Sequence, residues 1–97
     1  MEVIGKFEIL DSFKIRGRGL VARGNIIEGK VKIGTYIKIN TGTTNVLLKI
    51  SAVEMMDKIS TRDFWVGLMF VYKNKKEQDE FENIKLPAQT VEILDND

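Results

Sequence analysis

Cysteine and histidine are both missing from this 97-residue chain, and proline occurs only once. Without cysteine, the chain can form neither a disulfide framework nor a thiolate site. Without histidine, it lacks the commonest metal ligand and the only side chain whose ordinary pKa lies near neutrality. We therefore expect no cofactor, no metal site and little scope for nucleophilic catalysis.

Long apolar runs are missing as well. The longest, residues 65–72, has the length of a strand and falls far short of the roughly 18 residues of a membrane span. The first eight residues lack the basic and apolar segments of a secretory signal peptide. Hydrophobic residues make up 43% of the chain and charged residues 30%, which is typical of a soluble globular protein. These features predict one cytoplasmic domain over residues 1–97, without a membrane partner.

Charge is spread unevenly along the chain, although the net charge is only +1. Residues 1–50 carry nine Lys or Arg against four Asp or Glu, and residues 51–97 carry six against ten. Such asymmetry is typical of a polar surface that binds a partner. The alternative is that strands from both halves interleave, so that the halves do not form separate faces.

Apolar and polar residues alternate along most of the chain, which is typical of strands with one face on a core. The alternation is clearest over residues 3–15 and 31–39. Further strands are predicted over residues 46–56, 64–72 and 89–94, with a tight turn at residues 28–30 and a longer hairpin loop at 40–45. About six short strands separated by turns favour a barrel or a sandwich.

The segment from residue 73 interrupts this alternation. Residues 73–83 are mostly charged, with Phe81 as the single aromatic, and the predicted loop excursion extends to residue 86. Two structures fit this composition, a long loop or one or two helical turns. Two roles are also open, a solvated excursion or a loop that binds a partner.

Enzyme motifs are weak in this chain. Residues 24–30 spell GxxxxGK, but Val31 follows where a phosphate-binding loop needs Ser or Thr, and strands rather than a helix flank the motif. Glu54 and Asp57 have opposite parity on one strand, so the two carboxylates would not converge. The acidic run over residues 77–82 lacks calcium-loop spacing. We therefore predict that the chain is not an enzyme and binds no nucleotide.

Closely spaced glycines stand out over residues 13–34. They fall at Gly17, Gly19, Gly24, Gly29 and Gly34 with apolar residues between them, and each indicates a turn, a bulge or a close backbone approach. The segment resembles the "GRGTVVTGRVERGTVKVGD" signature of domain 2 of elongation factor Tu and related translational GTPases.

The resemblance covers residues 7–70. It includes a strand ending in Val-Glu-Met at residues 53–55 and a Val-Gly-Leu strand at 66–68. It implies an all-β fold, a small closed six-stranded antiparallel barrel with Greek-key-like connections. It also implies that this barrel stands alone, without the GTPase domain.

In elongation factor Tu this barrel helps to hold the aminoacylated 3′ end of transfer RNA, and in relatives it contacts ribosomal RNA. The chain departs from the family at Leu10, where an acidic residue is expected, and at Asp57, where an arginine is expected. The residues that match the family's pocket, and so the implied partner-binding residues, are Asp11, Phe13, Arg18 and Glu54.

Each of these four residues also has a structural interpretation. Asp11 would cap the turn into the glycine segment. Phe13 has the parity of the core and would be buried. Arg18 would pair with Glu54 across the sheet.

Taken together, the sequence predicts a non-catalytic binding module that contacts RNA or a ribonucleoprotein. Tyr36, Tyr72 and Trp65 are the aromatics expected to reach the surface. The alternative is a protein–protein or self-associating accessory module, with Trp65, Met55, Met56 and Met69 as interface residues. The oligomeric state is left open. A basic surface that would track phosphates is predicted from Lys14, Arg16, Arg23, Lys30, Lys32 and Lys38, beside Arg18.

Overall fold

The computed structural model describes residues 1–57 and 64–95 of the chain, although the side chains of Met56 and Asp57 lie outside that description. Within these ranges there are six strands and one short helix. In chain order they are β1 (Glu2–Ile15), β2 (Gly19–Gly29), β3 (Tyr36–Asn40), β4 (Asn45–Asp57), β5 (Phe64–Phe70), α1 (Lys75–Glu82) and β6 (Gln89–Asp95).

The strands close into a barrel in the order β1-β2-β5-β4-β3-β6, with β6 pairing back onto β1. Every neighbouring pair is antiparallel. The predicted all-β fold, a small closed six-stranded antiparallel barrel, is therefore confirmed. No helix in the described part of the chain is long and apolar enough to cross a membrane.

Alternation with a period of two fills the barrel with branched aliphatic side chains. β3 shows the pattern clearly, because Ile37 and Ile39 have no exposed surface while Lys38 between them is exposed. Burial of one such side chain contributes about 1.5–3 kcal/mol. The fully buried apolar side chains are Phe7, Ile9, Leu20, Ala22, Ile37, Ile39, Ile50, Leu68 and Ile93.

β1 is longer than the barrel needs. It pairs with β6 only as far as Ile9, opposite Gln89, but continues to pair with β2 as far as Ile15, opposite Gly19. The register with β2 shifts between Ile9 and Asp11, so the residue between them forms a β-bulge. The end of the β1–β2 hairpin therefore projects beyond the β1–β6 seam.

The charged segment after β5 contains a helix of two turns. Asn74 caps it, because its Oδ1 accepts a hydrogen bond from the Glu77 N–H at 2.8 Å. Phe81 is buried in the core and its ring centroid lies 5.6 Å from that of Tyr72. Leu86 is buried too, so the segment is anchored to the core at Phe81 and Leu86, while most of its charged residues stay exposed.

Residues 72–86, here called the covering segment, pack against the projecting hairpin. Tyr72 Oη accepts a hydrogen bond from the Leu20 N–H at 2.9 Å, and the Leu86 N–H donates to Ser12 Oγ at 2.8 Å. Gly19 makes this close approach possible, since a Cβ there would lie 2.5 Å from Tyr72 Cε2. This end of the barrel is therefore covered by residues 72–86.

The prediction of a strand over residues 31–39 is wrong in its first half, because β3 begins at Tyr36. Residues 33–34 form a turn in which Gly34 has a φ of 93° and Ile33 is 66% exposed. The predicted turn at residues 28–30 is also wrong. There β2 still pairs with β1, with Gly29 opposite Gly5. Alternation did not identify these changes because it does not specify where pairing stops.

Candidate nucleic-acid interface

The β-bulge after Ile9 reverses which residues of the second half of β1 point into the barrel and which point outward. Phe7 and Ile9 point into the barrel, and without a bulge every second residue after them would do the same. The extra residue shifts this alternation, so that Asp11 and Phe13 lie on the outer face, opposite Arg23 and Val21. Phe13 is 41% exposed. Its predicted burial is therefore wrong, and the β-bulge is the physical reason.

The same outer face continues across four strands. Arg23 on β2 lies opposite Gly67 on β5, and Gly67 lies opposite Glu54 on β4. Asp11, Arg23, Gly67 and Glu54 therefore form one row. Arg18, in the β1–β2 turn, reaches Glu54 with an Nη2–Oε1 distance of 3.4 Å. The four residues matched by resemblance thus lie on one face, and the predicted Arg18–Glu54 pair is present.

A small cavity of about 100 Å³ opens between these residues. Val21 and Met69 are buried, although they face away from the barrel interior, and they form its apolar wall. Small-molecule sites are usually about 300–1,000 Å³, so this cavity admits one side chain or the edge of one base. Its lining residues are Phe13, Ile15, Val21, Glu54, Gly67 and Met69.

Arg23 and Asp11 form the more ordered of the two ion pairs at this site. The guanidinium donates through both Nε and Nη2 to the two carboxylate oxygens, with an Nε–Oδ1 distance of 2.8 Å. It also lies 5.0 Å from the Trp65 ring centroid, in cation–π range. The hydrogen bonds with Asp11 raise the pKa of Arg23 above its ordinary value. Asp11 thus holds Arg23 and does not cap the turn.

The Arg18–Glu54 pair is looser. It rests on one 3.4 Å contact, and the two side chains are 54% and 53% exposed. Exposed ion pairs of this kind contribute about 0–1 kcal/mol, so a ligand can displace Arg18 from Glu54 at small cost. The Asp57 side chain, where the family has an arginine, lies outside the described residues.

The predicted basic surface is divided in the structure. Lys14 and Arg16 are exposed near the β1–β2 turn, whereas Lys30 lies at the other end of the hairpin, where its N–H donates to Ile4 O. The nine residues of β1 between the two ends span roughly 30 Å. Lys32 pairs with Asp95 at 3.2 Å and Lys38 lies on β3, away from the hairpin. Lys14, Arg16 and Arg18 are therefore the predicted cations that lie together near the β1–β2 turn.

A second, larger cavity lies beside the first. This groove has a volume of about 500 Å³ and is lined by Ser12, Phe13 and Lys14 on one side and residues 82–85 on the other. Phe13 lines both cavities, so it forms the ridge between them. The sequence analysis missed this groove, because nothing local brings residues 12–14 next to 82–85.

No cluster of three or more His, Cys, Asp or Glu side chains suited to a metal occurs among the described residues. The site combines an exposed aromatic ring, apolar walls and an exposed positive charge at Arg18, which are features of binding surfaces. No protein-family model matches the chain, and no solved structure matches it significantly. The similarity to domain 2 of elongation factor Tu therefore rests on the sequence motifs and stays a prediction.

Proposed function

We propose that this chain is a non-catalytic β-barrel binding module that contacts RNA or a ribonucleoprotein through the outer face around Phe13. The observation that supports this proposal is the exposure of the Phe13 ring beside three cations. Of these, Lys14 and Arg16 form no ion pair with any described residue, and Arg18 is held by one long contact.

The physical argument combines stacking with phosphate contact. An exposed aromatic ring offers a platform for a base, and each base–aromatic stack contributes roughly 1–3 kcal/mol. Lys14 and Arg16 follow Phe13 along the chain, close to the β1–β2 turn, and would provide charges for the adjacent phosphates. The cavity beside the ring is too small for a whole nucleotide, so we propose binding to the surface rather than enclosure.

The test is a titration of the purified protein with mixed transfer and ribosomal RNA at low and near-physiological salt. Phosphate contacts predict an affinity that falls linearly with salt on a log–log plot. Arg16→Glu combined with Arg18→Glu should weaken binding at low salt by at least about tenfold. The matched control is Lys30→Glu combined with Lys38→Glu, which reverses two charges away from the site.

Two outcomes would reject the RNA proposal. The first is no binding at low salt by a protein whose circular dichroism shows a folded barrel. The second is an equal loss of binding in the control, because net charge alone would then account for the interaction.

A second candidate is the predicted protein–protein or self-associating module, and a different surface favours it. Met55 is 64% exposed and Phe64 is 50% exposed, on adjacent strands at the end of the barrel opposite α1. Their side chains lie on the same face of the sheet as that of Val66, because Val66 is paired with Met55 and comes two residues after Phe64. Of the other predicted interface residues, Met69 is buried, Trp65 is half-buried against Arg23, and the Met56 side chain lies outside the described residues.

Sedimentation equilibrium over a wide concentration range tests this candidate. Self-association that Phe64→Ser abolishes would support it, with Val71→Ser, at a residue that is also 50% exposed, as the matched control. A monomer at every concentration would remove self-association and leave only a different protein partner.

A further inference from the structure

Among the described residues, no strand pairs with one edge of β1 over its last six residues, 10–15. β6 pairs with β1 only as far as Ile9, whereas the pairing with β2 continues to Ile15. An edge of this kind presents free backbone N–H and C=O groups, which can pair with another chain.

The hydrogen bonds of the hairpin identify which groups face this edge. The Leu20 N–H donates to Tyr72 Oη and so points away from β1. The opposing pair Lys14–Leu20 is therefore a pair without mutual hydrogen bonds, and by alternation so is Ser12–Ala22. The backbone N–H and C=O of Ser12 and Lys14 consequently point towards the free edge.

The covering segment leaves these backbone groups available. It contacts the edge through the Leu86 N–H, whose acceptor is the hydroxyl Oγ of Ser12 and not a backbone atom. Between the edge and residues 82–85 lies the groove of about 500 Å³, within the size range of ligand-binding cavities.

We propose that this groove takes an extended segment of a partner protein, which adds to the edge of β1 at Ser12 and Lys14 as a further strand and carries an acidic side chain. Backbone pairing supplies the affinity in this mode of recognition, and the surrounding side chains supply the preference. The groove is lined by two cations, Lys14 and Lys85, and by a single carboxylate, Glu82, so the lining favours a negative group. The Phe13 ring offers an apolar contact for a neighbouring side chain.

The experiment uses the ¹⁵N-labelled full chain and three peptides of sequence acetyl-Ser-Val-Thr-X-Thr-Val-Ser-amide, with Glu, Gln or Lys as X. Two-dimensional NMR should show chemical-shift changes at the amides of Ser12, Lys14 and Lys85, and slower hydrogen exchange at Lys14. The Glu peptide should bind roughly threefold more tightly than the Gln peptide and the Lys peptide more weakly still. Shift changes confined to other residues, or no change at millimolar peptide, would overturn the proposal.

Two controls isolate the backbone contribution. Lys14→Pro removes an N–H that the β1–β2 pair does not use, so it should abolish binding, whereas Lys14→Ala should retain it with a weaker charge preference. If Lys14→Pro does not fold, the Glu peptide with alternate amides N-methylated gives the same test on the natural chain. Equal binding of the methylated and unmethylated peptides would overturn strand addition.

RNA and a second copy of the chain are the rival occupants, and the same spectra distinguish them. The proposal fails if a single-stranded RNA oligonucleotide, and none of the peptides, shifts Ser12 and Lys14. It also fails if these amides shift with protein concentration alone, because the edge would then pair with itself. Peptide binding together with a negative RNA titration would reject the proposed RNA function and leave this inference in place.

Discussion

The two halves of β1 differ in both their pairing and their exposure. Residues 5–9 pair with strands on both edges and include Phe7 and Ile9, which have no exposed surface. Residues 11–15 pair on one edge only and expose Phe13 to 41%. The polarity pattern is the same in both halves, and one bulged residue separates them. A single register shift has therefore turned a pattern that builds a core into one that presents a surface.

A substitution that disrupts the packing against the first half of β1 should have the largest effect on the free energy of unfolding. A Cβ at Gly24, opposite Ile9, would lie 1.7 Å from the backbone oxygen of Glu8. Because backbone cannot move aside, we expect Gly24→Ala to lower the free energy of unfolding by about 4 kcal/mol or more, or to prevent folding. Urea denaturation followed by circular dichroism measures this.

The control for Gly24→Ala lies just beyond the second half of β1. Gly17 has a φ of 80°, and among the described residues beyond its two chain neighbours no atom lies within 4 Å of a Cβ built there. Gly17→Ala should cost only the strain of a left-handed alanine, about 1–2 kcal/mol. If both variants were destabilised equally, the contrast between a crowded and an open half would be wrong.

The second prediction compares one apolar side chain from each half of β1, Ile9 and Phe13. Ile9→Ala removes a fully buried side chain from the barrel and should cost about 2–5 kcal/mol, including the cavity left behind. Phe13→Ala removes a half-exposed ring and should cost about 1 kcal/mol. Phe13→Ala should nevertheless weaken RNA binding, since it removes the proposed stacking platform. Equal destabilisation by the two variants in urea would show that Phe13 belongs to the core.

The third prediction concerns the covering segment, which supports the second half of β1. Tyr72→Phe leaves the Leu20 N–H without its acceptor and should cost about 1–3 kcal/mol. Burial raises the pKa of Tyr72, despite the opposing hydrogen bond from Leu20, and Glu82 and Glu77 raise it further.

This pKa direction sets a pH window. A raised pKa means that the fold favours the neutral phenol, so its contribution is fully present below pH 10 and is lost as the pH rises through the folded-state pKa. Tyr72→Phe should therefore lose less stability above pH 10 than the natural chain does. Urea unfolding at several pH values tests this, with Tyr36→Phe on β3 as the control. An unchanged alkaline slope in Tyr72→Phe would contradict it.

Alternation and turn chemistry predicted about six strands in a barrel or a sandwich, and the resemblance implied the closed barrel that the structure has. The hairpin over residues 40–45 is one example, since β3 and β4 pair as far as Asn40 opposite Asn45. The helix had a local signal too, because Asn74 followed by Glu77 has the spacing of a capping box. The composition of the segment did not decide between a loop and a helix, because a strongly charged segment fits both.

The site was predictable only in part. The Arg18–Glu54 pair followed from the sequence motifs and is present. The facing of Phe13 did not follow, because the bulge at Leu10 is defined by the register with β2 and has no distinctive residue of its own. The groove depends on residues some seventy positions apart, which neither alternation nor spacing can bring together.

The smallest effects on the free energy of unfolding should come from the two ion pairs of the outer face. Like the two halves of β1, one pair is more buried and has more hydrogen bonds than the other. Asp11 and Arg23 share two hydrogen bonds and have side chains 49% and 35% exposed. Arg18 and Glu54 share one long contact and are more exposed. Bidentate geometry is the condition under which a surface pair contributes measurably, so Asp11→Asn should cost about 1 kcal/mol and Glu54→Gln less than about 0.5 kcal/mol.

A double-mutant cycle with Arg23→Gln separates the interaction of Asp11 and Arg23 from the effects of each substitution on other contacts. The coupling should shrink in 1 M salt, because both groups reach solvent. Glu54→Gln has a second expected result, since it frees Arg18 and removes a negative charge beside the cavity. It should therefore leave stability nearly unchanged and strengthen RNA binding at low salt. A loss of RNA binding in Glu54→Gln would mean that the carboxylate contacts the ligand itself, and the cavity would then recognise a hydrogen-bond donor rather than a phosphate.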